Sequence, residues 1–321
     1  MIISECSTNP AYALFEQSGE YNAYIACLST SLVLASLCFV ISSVTGNTSQ
    51  VDKLWSISPV LYAWFAVVDA RTFVMAILAT IWGARLTYNF ARRGGYCFPE
   101  FWKGDEDYRW AILRQGRLPG FGVLTSPTAW FLFNLVFVSL FQHLLLLLIV
   151  CPSLVAWKSY RLRDKCTDVV DYVPGLVTLD FIAALLFIFF IVTESIADNQ
   201  QYVFQTEKYR RKNAGELLDG EYLDGFLQSG LFSIVRKPNY ASEQLIWCSY
   251  YLFSVASRGF SLLNWSLLGP VLLILLFQSS GWMTEWLTIQ KYPKYLFYQQ
   301  RVPLYVPKLK TFASLLKSKA S

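Results

Sequence analysis

The stretch Pro174–Thr193, PGLVTLDFIAALLFIFFIVT, runs for 20 residues with a single charge, Asp180. Wound as an α-helix rising about 1.5 Å per residue, it spans the roughly 30 Å hydrocarbon core of a bilayer. A helix also satisfies its own backbone N–H and C=O groups, as lipid requires. Runs of similar length recur at Tyr24–Val44, Thr72–Ala91, Thr128–Val150 and Ser261–Gly281, and two shorter ones lie at Ser56–Val68 and Ala241–Ala256. This pattern predicts an all-α fold, a polytopic membrane helical bundle of about seven transmembrane helices. The two short runs read as tilted or re-entrant segments lining a cavity.

Composition agrees. Of 321 residues 55% are hydrophobic, 17% aromatic and only 15% charged, and the mean hydropathy is +0.38, which excludes an ordinary soluble globule. The net charge of +5 is gathered in a few polar connections and reads as a topology signal rather than a nucleic-acid footprint. No Lys or Arg precedes Lys53, whereas the connection Arg92 to Ser126 and the tail after Gly281 are rich in both. With an odd number of spans and an outward amino terminus, that connection, the Asp198 to Pro238 loop and the carboxy terminus are all cytosolic. The connection Trp157 to Val173, lumenal yet basic, departs from the rule. No internal repeat or long linker divides the chain, so it reads as one membrane domain over 1–321, with 174–310 as its cofactor-binding half.

Several chemistries are disfavoured. The seven cysteines are scattered without a CxxC pair and read as buried thiols in a reduced setting. The one histidine, His143, lies inside an apolar run and reads as a packed, hydrogen-bonded side chain, although a membrane histidine can also relay protons. No metal site and no Ser-His-Asp triad is expected. Met1 to Tyr24 carries Glu5, Glu16 and Glu20 and no basic residue, unlike a cleavable signal peptide.

Ionisable groups at the ends of membrane helices are costly unless paired or facing a wet cavity, so each is a functional candidate. Glu194 and Asp198 are four apart after the Pro174–Thr193 run and share a helix face. A bound cation, an Arg or a ligand's hydroxyls would relieve their repulsion; the plain alternative is two solvated carboxylates. Phe204 to Lys212 forms a cationic patch that includes Lys208 and suits phosphates or anionic lipid equally. The string Arg236-Lys237-Pro238-Asn239-Tyr240-Ala241-Ser242-Glu243 sets Asn239 and Glu243 four apart at a helix start, with Arg236 one turn earlier. An amide, a carboxylate and a forked cation suit a ligand bearing hydroxyls and phosphates; the plain reading is a Pro-started helix with an anchoring Tyr.

Together with Asp52-Lys53-Leu54-Trp55, Trp82-Gly83-Ala84-Arg85-Leu86, Asp107-Tyr108-Arg109, Ala197-Asp198-Asn199-Gln200 and Glu285 before Tyr292-Pro293-Lys294, these strings resemble the steroid 5α-reductase family. The likeness runs from about Asp52 to Pro303, and its nearest branch is the broad group of uncharacterised, steroid-dehydrogenase-like membrane proteins. The resemblance implies seven helices and an NADPH-dependent reduction of a carbon–carbon double bond conjugated to a carbonyl, on a hydrophobic lipid or steroid-like substrate. It further implies cofactor contacts from Glu194, Asp198, Lys208, Arg236, Asn239, Tyr240, Glu243 and Glu285. Trp82 stands where characterised members place a Tyr proton donor, and the C-terminal His of the family is missing. Asp52 and Tyr88 are then the expected catalytic groups, with Tyr62 or a water held by Asp52 as other proton sources.

Two rivals share these strings. The isoprenylcysteine methyltransferase group has the same Arg-x-Pro-x-Tyr opening and a Glu-then-Tyr tail and uses S-adenosylmethionine. A non-catalytic protein of the same fold is the other. The terminal Lys317 and Lys319 resemble the dilysine signal of endoplasmic reticulum membrane proteins, which works only on a cytosolic tail.

Overall fold

Five helices of the computed structural model are long and apolar enough to cross a bilayer: Ala23–Thr45, Ala70–Ala91, Pro127–Leu148, Thr178–Asn213 and Trp265–Lys291. The structure describes residues 21–97, 99–100, 102–162 and 173–308, and among them there is no strand. Lys317 and Lys319 lie outside the described residues. Most of the exposed surface of the first helix is apolar, with Ile25, Leu28, Leu32, Val33, Leu37 and Val40 outward, as lipid contact requires. The chain is a helical membrane bundle.

Local chemistry sets the helix ends. Asn22 caps the first helix, its side-chain oxygen accepting from the N–H of Tyr24 at 3.0 Å, and Gly46 ends it in the left-handed conformation at φ 69°. Asp69 and Thr72 form a reciprocal capping box at the start of Ala70–Ala91. Pro127 and Pro238 open their helices, where a missing N–H costs nothing. The run Ser56–Val68 yields only Ser58–Phe65, eight residues, or about 12 Å of rise, which cannot cross a bilayer. The run Ala241–Ala256 lies within Pro238–Ser257, 20 residues, which is long enough. Thr178–Asn213 has 36 residues, about 54 Å, and outruns the hydrocarbon core. Inside Pro127–Leu148 the stretch Asn134–Phe141 is π-helical, a register that is rare at this length.

Two compact units are present: residues up to Ala184 with Ser249–Leu272, and Leu185–Cys248 with residues from Leu273 onward. In the first, the connection after the opening helix is tied to the 102–107 loop. The Thr48 N–H donates to Glu106 at 2.8 Å, the Asp107 N–H to Ser49 at 2.9 Å, and Lys53 Nζ to the Lys103 carbonyl at 2.8 Å. A buried ion pair fastens its other end. Arg71 and Asp180, 0% and 2% exposed, are joined at 2.9 and 3.0 Å, while Arg71 also donates to the carbonyls of Val173 and Gly175. Asp180 in turn accepts the Val177 N–H at 2.8 Å. In the second unit, Ala197, Phe204, Leu227 and Phe232 form one apolar cluster and Phe226, Tyr295 and Tyr298 another.

Removing one partner of a buried pair leaves the other charged and uncompensated. Arg71→Met or Asp180→Asn alone is expected to cost about 3–5 kcal/mol, read as a lower melting temperature in detergent or nanodiscs. The double variant Arg71→Met with Asp180→Leu should recover much of it, and equal melting of both single variants with the parent would refute the assignment.

Candidate functional site

The second unit concentrates carboxylates where the sequence leads one to look. Glu194 and Asp198 sit one turn apart on Thr178–Asn213, and Asn239, Tyr240 and Glu243 fill the first turns of Pro238–Ser257. Asn239 Nδ2 donates to Asp198 Oδ1 at 3.4 Å, a long bond, and further along Phe187 meets Trp247 edge-on with ring centroids 6.5 Å apart. One index falls as the other rises, so the two helices run antiparallel and Glu194 comes to the level of Glu243. Glu194, Asp198 and Glu243 are all buried. Glu243 Oε1 accepts from Trp247 Nε1 at 2.9 Å. Tyr240 is wedged against Phe277 with centroids 4.9 Å apart, and its hydroxyl lies 3.4 Å from Ser280 Oγ. The result is acceptor-rich, suited to ligand hydroxyls and amide N–H groups.

The two expected phosphate cations are engaged elsewhere. Arg236 forms a fork with Glu285, Nε to Oε1 at 2.6 Å and Nη2 to Oε2 at 3.0 Å. Its Nη1 donates to the carbonyls of Gln299 and Val302, and Tyr295 and Gln299 add donors to the same carboxylate at 3.0 and 2.9 Å. Burial favours the uncharged form of Arg236, yet the hydrogen bonds and charge of Glu285 hold its pKa above the ordinary value. Lys208 is 8% exposed; its ammonium donates to the Gly225 carbonyl at 3.0 Å and lies 5.3–5.7 Å from the ring centroids of Phe204, Tyr209 and Tyr292. Gly225 is required there: its φ is 87° and a Cβ would fall 2.2 Å from the Tyr292 ring. Gln200 of the Ala197–Gln200 string pins a turn, accepting the Leu231 N–H at 3.0 Å.

In the first unit Asp52 accepts from Trp110 Nε1 at 3.3 Å. Burial pushes its carboxyl above the usual carboxylate range, and the neighbouring Asp107 charge adds to the rise while Arg109 opposes it. Burial alone would also raise Asp107, but its fork with Arg109 holds that carboxyl below the usual range. Tyr88 is 67% exposed, with the Arg92 guanidinium 5.6 Å from its ring centroid. Trp82 is fully buried. Sequence reasoning missed Trp247, Tyr295 and Gln299 as partners of the carboxylates. Only Trp247 left a trace, standing four residues after Glu243 on one helix face.

A family model described as Protein of unknown function (DUF1295) matches residues 38–302, a range that holds every candidate residue above. An uncharacterised protein of the fission yeast Schizosaccharomyces pombe is 34% identical over 304 residues, covering 90% of this chain and 80% of its own length. No solved structure matches the chain.

A carboxyl whose pKa is higher folded than unfolded binds protons more strongly in the native state, so stability falls as pH rises from the unfolded value, near 3.8, through the folded one. Above that window the loss is complete. Asp52→Asn removes it: the melting temperature at pH 7 should hold or rise, and the decline above the usual carboxylate range should flatten. Melts of parent and variant across pH 4 to 8, about the window in which a carboxyl raised by burial titrates, decide the point. A variant that melts lower at pH 7 with the decline intact would show that Asp52 ionises freely.

Proposed function

The chain belongs to the DUF1295 family, and on that premise we propose that it is a membrane oxidoreductase that uses NADPH to reduce a conjugated carbon–carbon double bond of a hydrophobic lipid or steroid-like substrate. The observation that carries the reading is the acceptor cluster of Asp198, Asn239 and Glu243 across two antiparallel helices. It supports recognition of the hydroxyl and carboxamide groups of a nicotinamide ribose. Asp198 and Glu243 would accept from those groups, Asn239 would supply a donor and an acceptor, and Glu194 lies one turn deeper. The fit is incomplete for phosphates, because Arg236 and Lys208 already hold Glu285 and Gly225. Arg236 and Glu285 then act by holding the start of the Asn239 helix in place.

When bound, NADPH supplies hydride. The acid half of the reaction falls to Asp52, whose desolvated carboxyl keeps a proton further up the pH scale than an exposed one. Trp110 orients it, and Tyr88, exposed beside Arg92, stands as the second donor. The terminal lysines extend the reading to an endoplasmic reticulum membrane with a cytosolic carboxy terminus.

One observation favours the methyltransferase reading: carboxylates with their nearest cations already committed suit the cationic sulfonium of S-adenosylmethionine. Thermal stabilisation separates the two, because only a ligand that binds the native state adds to its stability, by about 2.7 kcal/mol at 100 times its Kd, and so raises the melting point. NADPH is expected to stabilise the purified protein and S-adenosylmethionine is not. Asn239→Ala and Glu243→Gln should each weaken NADPH binding at least tenfold, about 1.4 kcal/mol. Stabilisation by S-adenosylmethionine alone, or by neither ligand, would overturn the reductase reading.

A further inference from the structure

The first unit holds a second polar cluster, which includes Tyr62 and His143. Ser31, Ser58, Tyr62 and His143 come from three helices that pack on one another, Ala23–Thr45, Ser58–Phe65 and Gln142–Leu148. Ser58, Tyr62 and His143 are each 0% exposed and Ser31 is 4% exposed. Ser31 Oγ donates to the His143 carbonyl at 3.2 Å, the Cys27 thiol donates to the Tyr62 carbonyl at 3.7 Å, and the Tyr62 hydroxyl faces Ser31 and Ser58. Yet Ser58 Oγ, Tyr62 Oη and His143 Nε2 have no hydrogen bond of ordinary geometry among the described residues. Tyr62 and Ser58 share only a weak contact and His143 Nε2 has no hydrogen-bond partner among the described residues; buried polar atoms so poorly satisfied are costly, and native interiors rarely tolerate them.

The chemistry of what would satisfy them can be read from donors and acceptors. His143 Nδ1 lies 2.8 Å from the Ser139 carbonyl, which only accepts, so Nδ1 carries the proton and the neutral ring offers Nε2 solely as an acceptor. Ser139 belongs to the π-helical stretch Asn134–Phe141, a register that often accompanies functional sites. A guest must therefore donate to Nε2 and also engage the hydroxyls of Tyr62 and Ser58. A carbonyl cannot donate to Nε2, whereas a hydroxyl donates to Nε2 and at the same time accepts from Tyr62 or Ser58.

We propose that Ser31, Ser58, Tyr62 and His143 form a membrane-buried site for one hydroxyl group, donated to His143 Nε2 and bonded by Tyr62 and Ser58. Water and the head of a lipid alcohol carry that same chemistry. The proposal is independent of the reductase reading and of the cofactor.

The chain has one histidine, so a uniformly ¹⁵N-histidine-labelled full-length protein in nanodiscs gives one pair of ring nitrogen signals. The parent protein should show a protonated Nδ1 and an unprotonated Nε2 displaced upfield, as hydrogen bonding to an acceptor nitrogen requires. Tyr62→Phe should move that signal downfield. Titration with dodecanol then separates the sources: a saturable shift identifies a lipid alcohol, whereas an upfield Nε2 indifferent to dodecanol identifies water. A protonated Nε2, or an Nε2 already at the position of a bare acceptor in the parent, would overturn the proposal without reliance on any variant that might misfold.

Discussion

The fork between Arg236 and Glu285 is the interaction on which the polar end of the second unit depends. Arg236 precedes the helix that carries Asn239 and Glu243, and Glu285 lies near the end of another helix, 49 residues along the chain. Around the fork gather the carbonyls of Gln299 and Val302, the Tyr295 hydroxyl and the Gln299 amide. The N–H groups of Arg236 and Lys237 pair with the carbonyls of Pro303 and Leu304, so the segment after the short helix Tyr295–Arg301 is laid against the same corner. A guanidinium is suited to this because its planar donors reach one carboxylate and two carbonyls at once. Lysine could keep the charge but not the fork.

This also explains what the sequence conveyed about the site and what it withheld. The spacing of Asn239 and Glu243, and of Glu194 and Asp198, is a local property of a helix and was legible. The structure brings Asp198 to Asn239. What Arg236 and Lys208 hold was not legible, because their partners are carbonyls and a carboxylate far along the chain, and a basic residue near a helix start looks the same whether it awaits a phosphate or already grips a glutamate. The Arg71–Asp180 pair was hidden for the same reason. Asp180 read simply as the one charge tolerated in an apolar run, and its partner is 109 residues earlier.

Fold class was the most legible level, since bilayer thickness converts directly into run length. Helix limits were less so. Ser56–Val68 has the composition of a span, yet Asp69 with Thr72 begins a new helix at Ala70 and cuts the preceding one at Phe65. That capping box is visible in the sequence, and local signals of this kind can outrank hydropathy where an apolar run is short.

Buried polar groups in this chain are handled in three distinct ways, and the contrast bears on function. Arg71 and Asp180 satisfy one another and the surrounding backbone, and Lys208 is satisfied by a carbonyl and three aromatic rings. Both arrangements are closed and need nothing from outside. Asp52 is different, held by weak bonds from Trp110 and Ser49, with a carboxyl that burial drives toward its protonated form. The Ser58, Tyr62 and His143 group is different again, with three buried atoms that have no hydrogen bond of ordinary geometry among the described residues. A fold that can close its polar contacts so fully at Arg71 and at Arg236 has the means to do so elsewhere. Where it leaves them open, stability has been given up for something else, and a group that must receive a proton or a hydroxyl cannot be satisfied in advance.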